Sequence, residues 1–189
     1  MYLLLLAAGL ALTVAQPIDA ASLALTPGER DEAIQTGRRS IAGADFGGQW
    51  RVTGEGPGQA LVVMTPFHRL ALAARNSAFK DQELKPKDVD SLVKDQEGKL
   101  VLWATLRGSK ADFARFYAAT LLRGQQVIKP SFTQNERTAL REEDGTFTAR
   151  CMYVFPTDGV DGKGQVTLVV KDLDSKPVAR FTVDLASMR

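Results

Sequence analysis

The chain of 189 residues contains one histidine and one cysteine, His68 and Cys151. A zinc site needs at least three protein ligands, and neither a His-Glu-x-x-His nor a Cys-x-x-Cys motif occurs. The aspartates at 158–161 and at 172–174 flank a predicted strand, which separates them by ~20 Å and indicates ordinary turn chemistry. We therefore expect no metal and no cofactor.

A serine or cysteine nucleophile would have to use His68 as its base. Thr65-Pro66 predicts a helix start, and His68 then lies near the positive end of the helix dipole, which lowers imidazole basicity. This position suits a solvent-facing or hydrogen-bonded histidine. Gly-x-Ser-x-Gly and P-loop motifs are absent. We assign no catalytic residue, and the alternative function is a small extracytoplasmic hydrolase that uses carboxylates or His68.

Two tryptophans are candidates for recognition of a partner. Trp103 is out of phase with the leucines of its predicted strand, so either the sheet is buried on both faces or Trp103 is an exposed anchor. Core packing is the commoner fate of such a side chain, and Trp50 has the same two interpretations. With His68, Arg69 and Arg137, these tryptophans form the candidate binding residues.

The elements that must position these residues begin with helices. Thr26-Pro27-Gly28-Glu29 predicts a capped helix to about Ile41, which should lie on the surface or pack loosely because it has few apolar residues. A hairpin is predicted over 49–65, then a helix near 66–80 and a short one near 87–94.

Strand periodicity dominates from Lys99 onward. Phe147, Ala149, Cys151, Tyr153 and Phe155 alternate with more polar residues, which predicts a strand with one buried face and makes Cys151 a small core residue. Asp112–Leu122 fits either a helix or a strand; strand is favoured because it completes a sandwich. Pro130–Gly145 reads as a long polar connection.

The C-terminal strands resemble the last strands of immunoglobulin-like domains in uncharacterised exported bacterial proteins. The resemblance covers residues 60–189 and is carried by three strand segments, at 153–156, 164–170 and 181–189, and by the helix that begins Thr65-Pro66-Phe67-His68-Arg69. It implies a fold and no activity. The expected fold is mainly β, an immunoglobulin-like antiparallel sandwich with N-terminal helical elements, or α+β if Asp112–Leu122 is helical.

The N-terminus predicts export. Leu3–Ala15 is apolar apart from Gly9 and Thr13 and is too short to span the ~30 Å hydrocarbon core, and small residues allow cleavage after Ala15 or Ala20. We expect a signal peptide at 1–20, a helical segment at 21–48 and a β-sandwich domain at 49–189 with an inserted helix near 66–80. The mature chain would have no transmembrane span.

Balanced charge excludes a nucleic-acid partner. The chain has 24 Lys+Arg against 22 Asp+Glu, and neither end concentrates one sign. The sequence therefore predicts a periplasmic or secreted, non-enzymatic binding or structural module whose partner is another envelope protein.

Overall fold

The computed structural model describes residues 23–43 and 45–189. The predicted signal peptide and both predicted cleavage sites lie outside the described residues. Three α-helices are described: α1 (Pro27–Arg39), α2 (Pro66–Phe79) and α3 (Pro86–Gln96). Ten strands are described: β1 (Arg51–Thr53), β2 (Ala60–Met64), β3 (Lys99–Gly108), β4 (Ala118–Arg123), β5 (Gln126–Ile128), β6 (Phe132–Asn135), β7 (Leu140–Arg141), β8 (Phe147–Pro156), β9 (Gln165–Lys171) and β10 (Pro177–Asp184).

The fold is mainly β and contains two antiparallel sheets. The larger sheet has the order β1-β2-β3-β8-β6. The short strand β7 also pairs with β8, nearer to the start of β8 than β6 does. The smaller sheet has the order β10-β9-β4-β5. The predicted hairpin at 49–65 is confirmed, since β1 pairs with β2 across a glycine-rich turn.

Alternate side chains of both sheets belong to one buried cluster. In the larger sheet, Leu102 of β3 lies opposite Tyr153 of β8, and Ala104 lies opposite Cys151; all four are buried. Phe181 of β10 is buried in the same cluster. This two-residue period is the one that the sequence predicts for a strand with one face in the core, and the expectation that Cys151 is a small core residue is confirmed.

The helices begin where the sequence predicts. Thr26 and Glu29 form a reciprocal capping box at the start of α1, and Thr65 caps α2 by accepting the His68 N–H at 3.0 Å. α1 lies at the surface, as the sequence predicts, with Ala33 and Gly37 as its buried residues, but the alternative of loose packing is wrong. Gly37 lies against α2 so closely that a Cβ at that position would be 2.0 Å from the carbonyl oxygen of Ala71. The absence of a side chain at Gly37, rather than apolar bulk, produces this contact.

The segment Asp112–Leu122 is neither one strand nor a helix. Residues 111–116 form successive turns, in which Arg115 N–H donates to Asp112 O and Tyr117 N–H donates to Ala114 O, and β4 begins only at Ala118. We call residues 109–117 the crossing loop, because the chain passes here from the larger sheet to the smaller one. The chain changes sheets within this segment, although the periodicity of its residues fits one continuous strand or helix.

The long connection predicted at Pro130–Gly145 contains two strands. Phe132–Asn135 forms β6 and Leu140–Arg141 forms β7, and both pair with β8. Their side chains are mostly polar and exposed, so these strands are specified by backbone pairing rather than by an apolar pattern. In the described part of the chain, no helix has both the length and the apolar character that crossing a bilayer requires.

Candidate functional site

Trp50 and His68 form a buried stacked pair. Trp50, at the end of a short 3-10 helix before β1, is 1% exposed, and His68, in the first turn of α2, is 4% exposed. Their rings are parallel within 3° at a centroid distance of 4.1 Å. Of the two interpretations of Trp50, core packing is confirmed.

The polar atoms of this pair are engaged by backbone groups. His68 Nδ1 lies 3.0 Å from the carbonyl oxygen of Val63, and Trp50 Nε1 donates to the carbonyl oxygen of Arg189 at 2.7 Å. Thr65 Oγ1 donates to the same Arg189 oxygen at 2.5 Å. The pair therefore joins the last residue of the chain to the start of α2, and of the two sequence-based alternatives for His68, the hydrogen-bonded one is correct.

Burial determines the protonation of His68. Desolvation lowers the pKa of His68 below its ordinary value of 6.5, while the hydrogen bond to Val63 opposes this shift. The imidazole is therefore neutral at pH 7 and donates from Nδ1. In the part of the chain that the structure describes, no hydrogen bond joins Nε2 to a hydroxyl, thiol or carboxylate side chain. Arg69, the next residue, is half-buried and forms no ion pair with another described residue.

A cleft lies beside the Trp50–His68 pair. Its volume is about 670 Å³, and it is lined by the end of α1 and by residues 43 and 45–50, with Asp45 as the titratable side chain among them. Gly47 lines the cleft and lies close to His68, since a Cβ at Gly47 would be 3.9 Å from His68 Nε2. Across residues 23–43 and 45–189, no group of three or more His, Cys, Asp or Glu side chains is placed to hold a metal ion.

Trp103 lies in an apolar surface on the outer face of the larger sheet. Seven side chains share this surface in two parallel rows, which are Val62, Trp103 and Met152, and Met64, Val101, Val154 and Phe132. We call them the Trp103 face. Trp103 is 36% exposed and Phe132 is 50% exposed, whereas Val101 and Val154 of the second row are buried. The expectation of core packing for Trp103 is wrong, because its position on β3 points away from the shared core.

The charged side chains that flank the Trp103 face are mostly basic; the acidic Glu136 lies beside Arg150, whose backbone N–H donates to Glu136 Oε2 at 2.7 Å. By the strand register, three cations face the same side of the sheet as Trp103: Arg51 of β1, Lys99 of β3 and Arg150 of β8. None of the three forms an ion pair with another described residue. A fourth outer-facing cation, Arg107, is paired with Asp144 at 2.7 Å.

Arg137 lies on a different surface. It lines a pocket of about 380 Å³ together with Arg115 and Phe116 of the crossing loop and with Thr133 and Asn135 of β6. The five sequence-predicted residues therefore separate into three places: Trp50, His68 and Arg69 near the start of α2, Trp103 on the outer sheet face, and Arg137 at the β6 side.

Sequence reasoning missed most of the Trp103 face. Met152 and Val154 alternate with the buried residues of β8, so both faces of this strand carry apolar residues. That pattern in the sequence indicates a second apolar face. The sequence pattern places Phe132 in a long connection and Arg115 in a segment that fits either a strand or a helix, with strand favoured. Which strands are neighbours is set by non-local pairing, which the local pattern of residues along the chain does not reveal.

Comparison of the chain with models of protein families, with curated proteins and with solved structures finds no match.

Proposed function

We propose that this chain is an exported, non-enzymatic binding module that docks another envelope protein on the Trp103 face. The observation that carries the proposal is the row formed by Val62, Trp103 and Met152 across three adjacent strands. Aromatic residues, methionine and arginine are the residue types enriched at protein interfaces. A partly exposed tryptophan at the middle of such a row is the usual form of an interface hot spot.

The Trp103 face has the composition of an interaction site rather than that of an ordinary surface with scattered apolar side chains. Single exposed apolar side chains are normal on a soluble protein, but a contiguous apolar patch with a polar rim marks an interaction site. Here Trp103 and Phe132 are exposed on the same sheet face as Val62, Met64 and Met152, so a partner would desolvate neighbouring apolar groups rather than isolated ones.

The cations at the rim support a partner with acidic residues. Arg51, Lys99 and Arg150 carry no counter-ion among the described residues, so an apolar surface with acidic residues around it is complementary. Because these rim pairs would be partly exposed, they contribute to association rate and specificity more than to affinity.

The hydrolase alternative has no comparable support. His68 is buried, stacked on Trp50 and bonded through Nδ1 to a backbone carbonyl. A general base needs a nucleophile within hydrogen-bond reach, and the described residues offer none at Nε2. The same contacts explain His68 as a packing residue.

Site-specific photocrosslinking tests the proposal. The full chain, with a benzophenone amino acid in place of Met152, is irradiated in the cells that produce it, and the control carries the same group at Thr167 on the smaller sheet. We expect one heterologous protein adduct at position 152, at least tenfold more abundant than at position 167. That protein, once purified, should bind the wild-type chain and lose affinity for Trp103→Thr.

Other adducts at position 152 would overturn the proposal. A second copy of the chain would make the face a homodimer interface, lipid would make it a membrane surface, and residues 3–15 of the same chain would make it an internal contact. Equal yields at positions 152 and 167 would show that the face has no preferred occupant.

A further inference from the structure

The pocket at Arg115 and Arg137 has a fixed frame. Asn135 Nδ2 donates to the carbonyl oxygen of Tyr117 at 2.7 Å, and Ala139 N–H donates to the carbonyl oxygen of Ala111 at 2.7 Å. These bonds hold the crossing loop against β6 and the residues that follow it. The pocket lies between the two segments, and its walls are therefore set by the fold.

The two arginines of the pocket are uncompensated. Five other arginines (Arg30, Arg38, Arg107, Arg123 and Arg189) form ion pairs with carboxylates. Arg115 and Arg137 form none with a described residue, and no acidic side chain lines the pocket. Two guanidinium groups from separate segments thus border one concave space of about 380 Å³.

Phe116 supplies an apolar wall beside these cations. Phe116 is 58% exposed, and the Arg115 guanidinium carbon lies 5.2 Å from the centroid of its ring. This contact holds Arg115 at the ring.

The charges around Phe116 favour one orientation of a ligand. Phe116 also lines a second pocket of about 370 Å³, which includes Asp112, Asp172 and Asp174. The carboxylates of that pocket repel an anion, whereas the arginines of the first pocket attract one. An acidic ligand that packs on Phe116 would therefore place its charged group toward Arg115 and Arg137.

We propose that the pocket of Arg115, Phe116 and Arg137 binds a small aromatic acid, with its carboxylate or phosphate oxygens on the two guanidinium groups and its ring on Phe116. The planar guanidinium presents paired N–H donors that match carboxylate and phosphate oxygens. Thr133 adds a hydroxyl donor at the pocket wall. The volume is at the small end of the range for small-molecule sites, which fits one ring and one acidic group.

Phenyl phosphate, benzoate and inorganic phosphate are the probes. Each is titrated into the full chain while NMR follows the arginine Nε–H and aromatic ring signals. We expect saturable shifts of Arg115, Arg137 and Phe116, with phenyl phosphate at least fivefold tighter than inorganic phosphate. The variant Arg137→Gln should bind phenyl phosphate at least tenfold more weakly, and the charge-matched control Arg180→Gln, on β10, should bind it as the wild type does.

Three outcomes would overturn the inference. They are equal binding by Arg137→Gln and the wild type, equal weakening by Arg180→Gln, and no preference for phenyl phosphate over inorganic phosphate. A parallel titration with the peptide N-acetyl-Phe-Asp-amide tests whether the ligand is a free acid or an acidic side chain of a protein. Tighter binding of the peptide than of benzoate would contradict a small-molecule site. Trp103→Thr should leave phenyl phosphate binding unchanged, so this site and the docking face can fail separately.

Discussion

The substitution Gly37→Ala tests how α1 is held on α2. A methyl group at Gly37 would lie 2.0 Å from the Ala71 carbonyl oxygen and 2.9 Å from the Ala74 Cβ. The oxygen belongs to the backbone of a helix, so it cannot rotate away. To restore an ordinary contact of 3.4 Å, α1 would have to move by 3.4 − 2.0 = 1.4 Å.

Two opposing effects determine the change in stability. Replacing glycine by alanine inside a helix favours folding by ~1 kcal/mol. Overpacking typically costs ~1–3 kcal/mol, and separating two packed helices by more than 1 Å also loses much of their dispersion attraction. We expect the packing cost to dominate and the free energy of unfolding to fall by about 2 kcal/mol. For a chain of this size, that lowers Tm by about 4–8 °C.

Gly28→Ala is the matched control for this experiment. Gly28 lies in the first turn of the same helix, and a Cβ there would meet no atom within 4 Å. Its free energy of unfolding should stay within about 0.5 kcal/mol of the wild-type value or rise slightly. Urea and thermal unfolding, followed by circular dichroism, measure both variants. If Gly37→Ala is as stable as Gly28→Ala, the close contact between the helices is refuted.

Three further predictions concern buried groups. Because the pKa of His68 is lowered in the folded chain, the unfolded chain binds a proton at a higher pH than the folded chain does. The free energy of unfolding should therefore be highest with respect to this group above about pH 6.5 and should fall as the pH decreases below that value. In urea titrations at several pH values, His68→Gln should reduce this dependence of stability on pH. The Cys151 thiol is buried, and burial raises its pKa, so it should react with a thiol reagent only as fast as the chain unfolds; prompt labelling of the native chain would contradict its place in the core. Iodide should quench the fluorescence of a Trp50→Phe variant several-fold more strongly than that of Trp103→Thr, and similar quenching constants would show that the two tryptophans are not placed as described.

Local signals predicted the parts of the fold that depend on nearby residues. The capping box of Thr26 and Glu29, the cap of Thr65 and the alternation in β8 are each readable within a few positions, and all three are present. The fate of Gly37 was not readable, because its role depends on a neighbour 34 residues later in the chain, Ala71. Packing determines such positions, and a single sequence does not specify it.

The candidate sites were predictable only in part. The phase of Trp103 gave the correct alternatives, but choosing between them required knowing which strands lie beside β3. Arg137 was singled out without its neighbours, since Arg115 lies on a loop that the sequence reads as a strand or a helix. Exposed polar strands such as β6 carry almost no apolar pattern, and they position one wall of that pocket.

Isothermal titration of the purified partner against Trp103→Thr tests the docking face most directly. Threonine keeps the strand preference while removing the aromatic anchor. Loss of a hot spot worth ~2 kcal/mol corresponds to a Kd increase of about 30-fold. The control Val127→Thr removes an exposed apolar side chain from β5, away from the face, and should change Kd by less than about twofold. If both variants bind the partner as the wild type does, the Trp103 face is not where this protein docks.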